Sequence, residues 1–82
     1  MTALYVASYV DERERVECVH VHAESVPEAL RMARAEIRLR AAEARLSYAA
    51  KGIRLRIHRA QYRLILMSDV VGNVVFRETA TN

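Results

Sequence analysis

The chain has 82 residues, 52% of them apolar and 28% charged, and carries a formal net charge of +3. That length fits one small domain rather than a multi-domain enzyme, and such a chain buries only roughly 60% of its unfolded surface. A single cysteine excludes an internal disulfide scaffold, and no apolar run approaches the ~18 residues that a membrane-spanning helix needs.

Two apolar runs open the chain, Ala3–Val10 and Val16–Ala23, on either side of the polar tetrad Asp11-Glu12-Arg13-Glu14. Both are rich in Val and Tyr, so they predict a β-hairpin. If the tetrad is the loop, Val10 lies opposite Arg15 and the faces follow by alternation. Leu4, Val6, Val19 and Val21 then form the core face. Tyr5, Tyr9, Cys18, His20 and His22 form the outer one.

Ser25-Val26-Pro27-Glu28 is a capping-box pattern, with the serine placed to accept an orphan amide and the glutamate to reach back. Pro27 in the first turn removes no helical hydrogen bond. From there to about residue 50 the chain is dominated by Ala, Arg, Glu and Leu, all strong helix formers. Lys51-Gly52 closes the helix, because glycine suits the left-handed position that follows one. At 100° per residue, Val26, Leu30, Ala33, Ile37, Ala41, Ala44 and Tyr48 make a stripe for the sheet. On the opposite side, Met32, Leu39 and Leu46 alternate with Ala35, Ala42 and Ala49 as the a and d positions of a heptad. That second stripe has two readings. Either the helix breaks near Leu39 or is partly covered by the C-terminal strands, or the seam is exposed and receives a second copy or a target protein.

Beyond Gly52, Ile53-Arg54-Leu55-Arg56-Ile57-His58 alternates strictly and predicts a strand with Arg54, Arg56 and His58 outward. Residues 63–68 and 74–78 predict two more strands, with turn chemistry in Asp69-Val70-Val71-Gly72-Asn73 between them. The expected fold is a single α+β domain over residues 1–82, of order ββαβββ, with one long helix on one face of an antiparallel sheet.

Charge is unevenly spread along this layout. Residues 1–25 hold two arginines against one aspartate and four glutamates, a local charge of −3, while the remainder is basic. Twelve of the thirteen cationic residues are arginine, Lys51 being the exception. Arg31, Arg34, Arg38 and Arg45 line one flank of the helix, and forked guanidinium groups suit phosphates and acidic protein surfaces. The other flank carries Glu36, Arg40 and Glu43, with Glu36 and Arg40 spaced for an i,i+4 pair. Tyr5, Tyr9, His20 and His22 of the hairpin, joined by Arg54, Arg56 and His58, predict a stacking and basic sheet face of the kind that binds single strands.

Cys18-Val19-His20-Val21-His22 offers three potential ligands on one strand face, with His58 a conceivable fourth. It lacks a second Cys or His pair, so no metal and no cofactor are expected. No Gly-rich phosphate loop, carboxylate pair or nucleophile constellation is present, and catalysis is not expected. Residues 1–10 show neither the basic segment nor the small-residue cleavage site of a secretory signal, and with the lone cysteine this predicts a cytoplasmic protein away from membranes.

In layout, the hairpin over residues 3–23, the capped helix opening Ser25-Val26-Pro27-Glu28-Ala29-Leu30 and the closing meander resemble small proteins of phages and mobile elements, several anti-CRISPR inhibitors among them. The resemblance spans nearly the whole chain but includes no signature motif, so it transfers no functional residue. It implies stoichiometric inhibition by covering a nucleic-acid channel or subunit surface of a partner. A basic chain is a poor DNA mimic and points toward acidic patches on that partner. The expected function is therefore a non-enzymatic protein-binding module. The alternative is a small basic nucleic-acid-binding or regulatory protein, dimeric through its helix.

Overall fold

A computed structural model of the chain describes residues 1–52 and 62–78. In chain order the elements are β1 (Ala3–Val10), β2 (Val16–Ala23), α1 (Val26–Ala50), β3 (Arg63–Asp69) and β4 (Val74–Arg77). The four strands form one antiparallel sheet in the order β2-β1-β3-β4, and α1 packs on one face of it. This is the expected α+β architecture. The strand expected over 53–58 lies outside the described residues, and with it Arg54, Arg56 and His58.

The hairpin forms, but in another register. Val10 pairs with Val16 rather than with Arg15, Ala7 with Val19 and Tyr5 with Val21. Five residues connect the strands instead of four, because the Asp11 amide donates to the Arg15 carbonyl and Glu14 takes a left-handed conformation at φ 60°. A slip of one residue carries a whole strand to its other face. Tyr9 and Ala7 therefore lie buried beneath the helix with Val19 and Val21, and Tyr5 packs half-buried against them. Leu4, Val6 and Ser8 share the outer face with His22, His20 and Cys18. The assignment of Leu4 and Val6 to the core and of Tyr5 and Tyr9 to the outer face is corrected accordingly.

The helix begins and ends where the capping residues place it. Ser25, in extended conformation, accepts the Glu28 amide at 3.3 Å. The Glu28 carboxylate reaches back to the Glu24 amide at 3.1 Å, one residue beyond the serine. At the other end Lys51 and Gly52 donate to the carbonyls of Tyr48 and Ala49, with Gly52 at φ 75°. Between these caps 25 residues run without a break, a rod of roughly 37 Å. No break occurs near Leu39.

The core joins Ala29, Ala33 and Ile37 of the helix to the hairpin residues and to Leu64 and Met67 of β3. Ala29 and Ala33 are fully covered. Short side chains there let the helix backbone lie close to the sheet, where larger ones would force it away. In a straight strand, Leu64 and Met67, three residues apart, would point to opposite faces. A register shift between Ser8 and Tyr9 sets Ala7 against Met67 and Tyr9 against Leu64, so both reach the core side.

Candidate functional site

The outward side of α1 is the least explained surface of the fold. Met32, Leu39 and Leu46 are 38%, 56% and 71% exposed, increasingly so toward the C-terminal end. Of the seam alanines, Ala35 and Ala49 are also exposed, and Ala42 is half-buried. Neither β3 nor β4 covers this seam, which leaves an apolar stripe along a helix already buried on its other side. Val26, Leu30, Ala41, Ala44 and Tyr48 of the sheet-side stripe are half-buried, as the periodicity predicts.

Arg31, Arg34, Arg38 and Arg45 are all exposed along one flank of the seam. None of them makes a salt bridge to a carboxylate among the described residues, whose pairs are Arg15–Asp11, Arg40–Glu36 and Arg63–Glu78. Arg34 sits over the Phe76 ring, 5.4 Å from its centroid. Two open clefts meet at Arg34 and Arg38. One, of about 350 Å³, runs over Pro27, Leu30 and Arg31. The other, of about 280 Å³, lies between the helix and the sheet over Ile37, Leu64 and Phe76. Each has an apolar floor and arginines at its rim, the second also carrying Glu78 paired with Arg63, and the arginines of the first suit an apolar side chain next to an acidic one.

The opposite flank is engaged internally. Arg40 pairs with Glu36 at 3.6 Å, as the spacing predicts. It also donates to the Tyr9 hydroxyl at 3.1 Å and to the Cys18 carbonyl at 3.3 Å, and lies over the Tyr9 ring. The Tyr9 hydrogen bond is the main cause of a raised pKa at Arg40. Tyr9 is thus an anchor for the helix and not a stacking platform, and only 4% of it is exposed.

A second polar cluster gathers at the tip of the hairpin. Glu12 accepts hydrogen bonds from Tyr62 and, at 3.4 Å, from Tyr48, whose hydroxyl also accepts from Arg13 at 3.1 Å. Tyr62 stacks on Tyr9 with ring centroids 6.0 Å apart. Burial, then the carboxylate of Glu12, pushes the Tyr62 hydroxyl well above its ordinary pKa, so it stays a hydrogen-bond donor. The cluster is a tie between elements rather than an acid–base pair. Sequence reasoning missed Glu12, Arg40 and Tyr62 as tertiary partners, since a contact across 31 or 50 residues leaves no local pattern.

His20, His22 and Cys18 stand exposed on β2, with the Cys18 thiol 3.8 Å from the Ser8 hydroxyl. No group of three metal-ligating side chains occurs among the described residues. No described helix is long and apolar enough to cross a membrane. No protein-family model, no characterised protein and no solved structure matches this chain.

Proposed function

We propose that the chain is a non-enzymatic protein-binding module whose arginine flank on α1 docks on an acidic surface of a protein or ribonucleoprotein partner. The carrying observation is the row Arg31, Arg34, Arg38 and Arg45, exposed and without a salt bridge among the described residues, the first three of them lining two apolar-floored clefts. Arginine is enriched at the energetic centres of interfaces because its planar fork is weakly hydrated and binds carboxylates in a bidentate fashion. The finer form of the reading is a stoichiometric inhibitor of the anti-CRISPR kind that covers a working surface of a nucleic-acid-handling complex. It is supported by the order of hairpin, capped helix and two C-terminal strands among the described residues.

Direct nucleic-acid binding is the alternative, since the same row suits phosphates. Tyr9 is buried and Tyr5 packs half-buried on the same helix-covered face, so neither stands on the outer sheet face where the aromatic platforms were expected. Affinity capture from a host lysate, with and without nuclease, separates the two. A protein retained after nuclease treatment, and lost when Arg34→Glu and Arg45→Glu are combined, supports the module. Recovery of nucleic acid alone, with an affinity falling steeply as salt rises, replaces it with the alternative.

A further inference from the structure

We infer that the outward face of α1 is the interface of a parallel homodimer, with the two helices side by side and the two sheets on the outside. The seam supplies the apolar part, Met32, Leu39 and Leu46 at a positions and Ala35, Ala42 and Ala49 at d positions. The residues beside the seam decide what covers it and in which direction. Glu36 and Glu43 occupy consecutive e positions, and Arg31 and Arg38 the g positions five residues before them. In a parallel pair each g side chain faces the e side chain five residues further along the other helix. Arg31 then meets the second copy's Glu36, and Arg38 meets the second copy's Glu43. Two-fold symmetry makes every such contact twice.

Antiparallel packing would set each large side chain opposite an alanine, a good fit in volume. It would also lay the arginine row of one copy along that of the other, and glutamate beside glutamate. Like charges at these positions repel, and e and g residues are what set orientation in paired helices. A foreign helix of unspecified sequence would have to match both rows, whereas a second copy matches them by construction. Arg31 and Arg38 form no salt bridge among the described residues, and Glu36 contacts Arg40 only through an exposed pair at 3.6 Å. Such pairs are weak and can be exchanged. Arg34 lies off these contacts, and Arg45, at the next g position, faces the uncharged Ala50 of the second copy, so a dimer leaves these two arginines, but not Arg31 and Arg38, for a further partner. The inference does not depend on the function proposed above.

Sedimentation equilibrium between 1 and 200 µM tests it. The expected species has twice the 9.4 kDa of the chain. Glu36→Arg with Glu43→Arg weakens association by at least about tenfold. Adding Arg31→Glu and Arg38→Glu to the same chain restores it, and this restoration is not expected of a merely misfolded variant. Orientation is read from oxidative crosslinking in a Cys18→Ser background. Met32→Cys and Leu46→Cys, both at exposed positions, are expected each to crosslink to itself. A monomer at every concentration overturns the dimer. Efficient crosslinking only when the Met32→Cys chain is mixed with an Ala49→Cys chain overturns the parallel arrangement.

Discussion

Two turns in this molecule share one wiring and differ in composition. In each, an aspartate carboxylate, Asp11 or Asp69, accepts the backbone amides two and four residues later. In each, the aspartate amide donates to the carbonyl four residues on, and the residue three positions on lies at positive φ. The second turn fills that position with Gly72 at φ 97°, the first with Glu14 at φ 60°. The first turn also buries its aspartate, which takes a further contact from the Arg15 guanidinium at 3.2 Å, while the second binds the Asn73 side-chain amide at 3.1 Å. A turn can therefore be enforced by an aspartate alone, and glycine relieves its strain without creating it.

The comparison can be tested by unsettling each half. Asp11→Ala is expected to have the largest effect, a loss of about 2 kcal/mol in chemical denaturation, because two amides and a guanidinium lose a shielded acceptor. Asp69→Ala should cost distinctly less. Equal losses would mean that burial and the Arg15 contact contribute nothing. Gly72→Ala comes next, at about 1 kcal/mol. Nothing lies within 4 Å of where its Cβ would stand, so the cost is conformational and not steric. Glu14→Gly should move the other way, gaining about 0.5 kcal/mol as the left-handed strain is released against added chain entropy. A loss on Glu14→Gly would show that the side chain itself helps to hold the turn.

The smallest effect is in the pH dependence. Burial pushes the Asp11 carboxyl up, but the amides of Arg15 and Arg13 and the Arg15 guanidinium bring it below its ordinary value. The amide of Asn73 foremost, then its side chain, does the same for Asp69. A carboxyl lowered in the folded state contributes stability that is present above its unfolded pKa and lost as pH falls through the folded one. Thermal melts should therefore weaken below about pH 4. Asp11→Ala should flatten that decline without shifting its onset upward.

The pair of turns also explains which parts of the fold were legible in the sequence. Gly72 and Asn73 announced the second turn, and Ser25, Pro27 and Gly52 bounded the helix to within a residue. The period of 3.6 separated the sheet-side stripe from the exposed seam. No glycine marked the first turn, so the loop was expected one residue too short, and parity then put Tyr5 and Tyr9 on the wrong face. For the candidate site, exposure of the arginine flank followed from helical spacing. The cleft between helix and sheet did not, because it depends on Leu64 and Phe76 arriving from strands far along the chain.

Glu12 lies within the first turn, yet its hydroxyl donors come from 36 and 50 residues away. A turn closed by its own aspartate can form within microseconds, as hairpins do. Its fastening to Tyr48 and Tyr62 must wait until the helix has docked and β3 has paired, and such distant closures set the pace of small domains. The loop that starts first is thus among the last to be completed. Until then the hairpin tip is held only by local bonds, which makes it a natural place for the native state to begin opening, and amide exchange at Arg13 and Arg15 would follow that opening before any change at Met67.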